Sequence, residues 1–195
     1  MIIGVDFDNT IIDFDPVFHK LALKEKLIDA ATAPHKRAIR DSIRKKFGND
    51  RWTELQGVVY SKGVDEARMT DGFSEFLSWA GDNAASLYVI SHKTERAESG
   101  APLDLRVPAL SWLKRQGFHE RNIFFESTRE KKLERIGLAG CRYFVDDLYE
   151  IFEEPGFPKE VKAVFYNPYH EACPDKQVLN FRSWREIRKF FETCR

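Results

Sequence analysis

Polar and apolar positions come in blocks along this chain more than in single alternation. Five short runs are apolar almost throughout: IIGVDF (2–7), LYVIS (87–91), NIFFE (122–126), RYFVDD (142–147) and KAVFYN (162–167). A strand with one wet face alternates, so runs without alternation predict strands covered on both faces. Between the runs lie stretches with helical spacing. PLDLRVPALSWLKRQGF (102–118) places Leu110, Leu113 and Phe118 near one side. REKKLERIGL (129–138) gathers Leu133, Ile136 and Leu138, with Gly137 and Gly140 as stops. SWREIRKFFETC (183–194) offers Ser183 as an N-cap ahead of Ile187, Phe190 and Phe191. Strand–helix–strand alternation predicts an α/β fold with a parallel sheet.

One gap breaks the alternation. Residues 13–75 are charged and helix-like, with breaks near Pro34, GND (48–50) and SKGVD (61–65). That is too long for a simple crossover and predicts two or three extra helices, a small inserted subdomain. Residues 1–12 and 76–195 then form the core domain. The insert leaves just after Asp8, at the carboxyl end of the first strand, where open α/β sheets bind ligands.

Composition narrows the class. At 195 residues and 43% apolar, the chain can form one domain with a small insert. Lys plus Arg equals Asp plus Glu, 31 each, so no overall field draws it to a nucleic-acid polymer or a membrane surface. The start, MIIGVDFD, has no basic residue, and no signal peptide is expected. No run approaches the roughly 18 apolar residues of a membrane span. Cys141, Cys173 and Cys194 are odd in number and form no CxxC. They predict reduced thiols and a cytoplasmic setting, not a disulfide framework or a zinc site. His170 and Cys173 lack further ligands nearby and read as structural.

The chemistry starts at the first run, which drives an apolar strand into Asp6 and Asp8. Carboxylates at such a place are costly unless something positive is held there. Ser91 ends the second strand, Lys131 and Lys132 begin a helix, and Asp146 and Asp147 end the fourth strand. Right-handed crossovers bring all strand carboxyl ends to one edge. Carboxylates gathered there raise one another's pKa, and a divalent cation relieves the repulsion. Oxygen-only ligands suit Mg²⁺.

DFDNT (6–10), Ser91 after an apolar strand, a lysine at a helix start and VDD (145–147) together resemble the four motifs of the haloacid dehalogenase-like superfamily, over about residues 1–150. The insert after the first motif resembles that superfamily's C1-type cap. The resemblance implies a Rossmann-like three-layer core and a Mg²⁺-dependent phosphatase acting on a small soluble phosphate ester, a nucleotide or a sugar phosphate. Asp6 would be the nucleophile and Asp8 the general acid and base. Asp6, the Asp8 backbone carbonyl and Asp146 would hold Mg²⁺. Thr10, Ser91 and Lys132, favoured over Lys131, would bind the phosphoryl oxygens, and Asp147 would orient water on the metal. Dehalogenase members lack an acid two residues after the nucleophile, so Asp8 favours ester hydrolysis.

Other readings stand beside these. The enzyme could pass the phosphoryl group to an alcohol, or the site could serve a non-catalytic regulatory protein. His92 and Lys93 fit a substrate contact or solvent equally. Arg129 reads as a surface residue. PHKRAIRDSIRKKF (34–47), with six Lys or Arg against one Asp, reads as a solvated helix around Ile39, Ile43 and Phe47 in preference to a basic substrate face. Trp52, Tyr60 and Phe73 read as cap core. Oligomeric state is left open.

Overall fold

Two adjacent aromatic residues show how the sheet is covered. Tyr143 and Phe144 sit in one strand, so their side chains leave by opposite faces. In this computed structural model, which describes residues 1–99 and 103–193, both are buried. Tyr143 meets the ring of Phe191 edge-on at 4.8 Å. Phe144 joins Ile90, Leu133, Ile136, Ile151 and Val161 in a core cluster on the other face. A strand with a dry core on each side can be apolar at every position, which is why these runs do not alternate.

The chain divides into two compact units. The first comprises Met1–Ile12, Met69–His92 and Arg121–Arg195, and the second Asp13–Arg68 and Lys93–Glu120. The first holds the sheet: β1 (Ile2–Val5), β4 (Ser86–His92), β5 (Ile123–Glu126), β6 (Tyr143–Asp146), β7 (Lys162–Tyr166) and β8 (Leu179–Phe181). Two-residue strands β2 (Ile12–Asp13) and β3 (Arg68–Met69) stand where the chain passes between the units. Among the described residues the sheet has six strands in the order β5-β4-β1-β6-β7-β8, every pair parallel. β8, three residues long, lies outside the five expected runs.

Helices cover both faces. Helix α6 (Arg129–Leu138) and the short α7 (Glu150–Glu153) supply Leu133, Ile136 and Ile151 to one cluster. Helices α4 (Phe73–Asp82) and α8 (Trp184–Thr193) meet around Phe76, Trp184 and Phe191. Ser183 caps α8, its Oγ accepting from the Glu186 N–H at 3.3 Å. Leu138 departs from its expected place beside Leu133 and Ile136, being 71% exposed. Five residues past Leu133 is about 140° round the helix, off the core stripe. Gly4 is where β1 passes closest to its neighbours. A Cβ there would lie 2.7 Å from the Phe144 ring and 2.9 Å from the Cys141 sulfur. Cys141 is buried and Cys173 half-buried, both free. Cys194 and Pro102 lie outside the described residues.

The second unit is helical: α1 (Asp15–Lys24), α2 (Lys36–Phe47), α3 (Asn49–Ser61) and α5 (Arg106–Arg115). Its core includes Phe18 stacked on Trp52 at 5.1 Å, with Tyr60 edge-on to Phe18. On α2, Ile39 and Ile43 are buried while Phe47 is 50% exposed. Among the α2 cations, Arg40 pairs with Asp41 and Lys46 with Asp29. Phe73, expected among these core residues, belongs to the first unit and packs edge-on against Trp184 at 4.7 Å. Among the described residues no helix is long and apolar enough to cross a membrane.

Candidate active site

Sheet register brings the acidic residues together. Val5 of β1 pairs with Val145 of β6. One residue further along each strand come Asp6 and Asp146, and the Asp6 N–H donates to the Val145 carbonyl at 2.9 Å. Chain order reverses at these strands: β4 and β5 are laid on one side of β1, and β6 to β8 on the other. The carboxyl end of such a switch point is an open crevice by construction. Ser91, near the end of β4, lies two residues past Val89, the partner of Val5, and is buried.

Lys132 enters from α6. Thr128 caps that helix, its Oγ accepting from the Lys131 N–H at 3.2 Å. Leu133 and Ile136 face the core, so the residue just before Leu133 turns to the edge of the sheet. Lys132 Nζ lies 2.7 Å from Asp6 Oδ1 and 2.6 Å from Asp146 Oδ2, all three side chains buried. Burial works against the ammonium charge, but Asp146 and then Asp6 outweigh it and hold Lys132 above the ordinary lysine range. Burial pushes Asp146 up to about 6, with Lys132 pulling it back and Asp6 adding to the rise. Lys131 is exposed, its Nζ 3.4 Å from Ser127 Oγ.

The 6–12 turn carries the rest. Ile11 and Ile12 N–H groups both donate to the Phe7 carbonyl, and Asn9 donates to Ile12. Asn9 takes φ of 59°, a left-handed conformation that asparagine tolerates. Thr10 is fully buried. Its hydroxyl donates to Asp147 Oδ1 at 3.1 Å and accepts from the Asp147 N–H at 3.2 Å. Asp8 is half-buried on the same turn.

Among the described residues, Asp6, Asp146 and Asp147 each place a carboxylate oxygen within 4.8 Å of the others. This all-oxygen set fits a hard divalent cation of the Mg²⁺ kind. Such a cation would offset the burial and the Asp6 repulsion that raise Asp146. Asp147, expected to act through water, stands within that cluster.

No protein-family model and no curated protein matches the sequence. Solved structures do. A hydrolase of the haloacid dehalogenase (HAD) superfamily from Ehrlichia chaffeensis is 17% identical, with 96% of this chain and 94% of that one covered and a TM-score of 0.55. A HAD family hydrolase from Deinococcus radiodurans, solved with bound phosphate and sodium, is 11% identical over 97% and 93%, at 0.59. A HAD phosphatase from Thermococcus onnurineus is 15% identical over 97% and 96%, at 0.52. The chain has the haloacid dehalogenase-like fold.

On this haloacid dehalogenase-like core, Asp6, Thr10, Lys132, Asp146 and Asp147 are joined by hydrogen bonds, ion pairs or proximity, and Ser91 lies near the end of the strand next to β1. Arg129 is exposed beside Glu154, and exposed His92 has Nε2 at 3.1 Å from the Ser127 carbonyl. Lys93 belongs to the second unit, where it is buried with Nζ 4.5 Å from the centre of the Tyr60 ring. Two residues around the turn carry no sequence signal for this place. Trp184 Nε1–H donates to the Thr10 carbonyl at 3.0 Å, and the Thr70 hydroxyl donates to the same oxygen at 2.7 Å. Helical spacing marks Trp184 as core without saying where its indole N–H points.

Proposed function

We propose that the protein is a Mg²⁺-dependent phosphomonoester hydrolase working through an aspartyl-phosphate on Asp6. The observation that carries the reading is Lys132 bridging Asp6 and Asp146 within 2.7 Å, beside Asp147, at the carboxyl ends of β1 and β6.

An Asp6 oxygen attacks phosphorus while the bond to the ester oxygen breaks. The leaving alkoxide takes a proton from the Asp8 carboxyl. Water then gives a proton back to the Asp8 carboxylate and attacks phosphorus, and the bond to Asp6 breaks to release phosphate and restore the carboxylate. Lys132, 2.7 Å from Asp6 Oδ1, offers its ammonium to the equatorial phosphoryl oxygens, where charge must be stabilised. Ser91 supplies a hydroxyl at the neighbouring strand end. Thr10, expected at the phosphoryl oxygens, has its hydroxyl on the Asp147 carboxylate and N–H, and in this reading acts on Asp147. Asp6, the Asp8 carbonyl and Asp146 would hold Mg²⁺, with Asp147 close enough to orient its water or to ligate. Bound Mg²⁺ supplies positive charge against the phosphoryl oxygens.

The substrate of this reading is a small soluble phosphate ester, a nucleotide or a sugar phosphate. The helical insert that follows the turn, residues 13–75, is its cap, and selection among esters falls to it. The bound phosphate of the Deinococcus radiodurans structure supports a phosphate ligand here. Phosphate release from a panel of phosphomonoesters tests the reading. Release with Mg²⁺ that stops with EDTA and returns on adding Mg²⁺ is expected. Release indifferent to chelation, or none from any ester, contradicts it.

A further inference from the structure

The last residue of the DFDNT turn is held from behind by side chains far away in sequence. Thr10 offers its carbonyl oxygen to two donors, the Trp184 indole N–H and the Thr70 hydroxyl, at 3.0 and 2.7 Å. Thr10 and Trp184 are wholly buried and Thr70 nearly so. A second Thr70 bond, at 3.3 Å to the Ile11 carbonyl, ties the same hydroxyl to the next peptide. On its other side Thr10 binds Asp147 through both hydroxyl proton and lone pair. An unbroken path therefore runs from the C-terminal helix through one residue to a carboxylate of the acidic cluster.

The indole is packed among other rings. Phe73 and Phe76 meet it at 4.7 and 4.8 Å, and Tyr166 stacks on it at 5.6 Å. A buried Trp commonly finds some acceptor for its N–H. Here that acceptor is a turn carbonyl already served by Thr70, so satisfying the indole does not by itself explain the convergence. Two buried donors on one carbonyl fix the peptide plane of Thr10, and with it the direction of the Thr10 side chain. Positioning to a fraction of an ångström is what a cation or a reacting phosphoryl group demands of its ligands.

We propose that Trp184 and Thr70 are positioning residues for Asp147, setting the affinity of the acidic cluster for a divalent cation through Thr10. This rests on the phosphatase reading for its consequence in catalysis, but not for its test. The test is calorimetric titration of the metal-free full chain with Mg²⁺, for wild type, Trp184→Phe, Thr70→Val and Thr70→Ser. Kinetics on the best ester run alongside. The two variants that lose a donor should bind Mg²⁺ several-fold more weakly. Their kcat should fall about 10-fold, the low end of the effect expected on losing a partner of a metal's ligands, with KM little changed. Thr70→Ser, which keeps a hydroxyl, should recover most of the affinity.

Folded variants, by circular dichroism, that match wild type in Mg²⁺ affinity and kcat overturn the proposal. So does Thr70→Ser as impaired as Thr70→Val, which would point to packing. If Trp184→Phe fails to fold, the threonine pair decides alone. Wild type that binds Mg²⁺ but hydrolyses no ester, with both variants weakened, keeps the positioning role and removes the phosphatase reading. Wild type that binds no Mg²⁺ removes both.

Discussion

Lys132 is a buried cation between two buried carboxylates, and the pair geometry sets what its loss does. Lys132→Met keeps the length and apolar stem but leaves Asp6 and Asp146 facing each other unneutralised. Removing one partner of a buried ion pair costs about 3–5 kcal/mol. The cost should depend on pH. Asp146, raised from 3.8 to about 6, favours the fold when protonated, so its own contribution falls as pH rises through that window. Lys132 pulls the other way, and taking it out raises Asp146 further. Metal-free Lys132→Met should therefore lose more stability at pH 8 than at pH 5, read by urea denaturation. An equal loss at both would contradict the pairing. Asp8 makes its prediction through the leaving group. Asp8→Asn should lower kcat by roughly 10²–10⁴-fold on an alkyl phosphate. On p-nitrophenyl phosphate, whose leaving group needs no proton, the loss in the first step should be far smaller. Equal losses in that first step, read as the pre-steady-state release of the alcohol and of p-nitrophenol, would assign Asp8 another role. The residues of this cluster were legible in the sequence because each sits at an element end that the apolar runs predict. Thr10 was legible as part of the turn but not in its partner: that its hydroxyl turns to Asp147 depends on β6 lying beside β1.

At the scale of elements, the strands were readable because both faces are dry, and β8 escaped because three residues make no run. Helix α6 was readable in position and in its buried face, except at Leu138, where a five-residue step leaves the stripe. The close approach of β1 to its neighbour had no sequence signal beyond a glycine in a strand. Gly4→Ala should force the Phe144 ring and the Cys141 sulfur aside. Overpacking of this kind costs about 1–3 kcal/mol. Thermal unfolding should show a lowered midpoint, while a midpoint equal to wild type would mean that the core yields there. Because Gly4 lies two residues before Asp6, the same variant should also lose activity.

At the scale of the whole chain, balanced charge argued against a field for nucleic acid, and the apolar runs with a long insert after the first strand predicted the parallel α/β sheet that the fold shows. The helices of the second unit's first segment, Asp13–Arg68, were legible, although the insert was expected to run to residue 75. The association of residues 93–120 with the same unit was not, since it depends on packing between segments far apart in sequence. All seven residues named for the reaction fall within the first unit, so the chemistry can be judged there without reference to the substrate. The central claim is that phosphorus passes through a covalent bond to Asp6. The most direct measurement is an acid quench of the enzyme turning over a ³²P-labelled ester, followed by peptide mapping. The account predicts label on the peptide carrying Asp6, stable in acid and released by hydroxylamine as an acyl phosphate is, and none in Asp6→Asn. Turnover by wild type with no label trapped on any peptide, or turnover by Asp6→Asn near the wild-type rate, would contradict it.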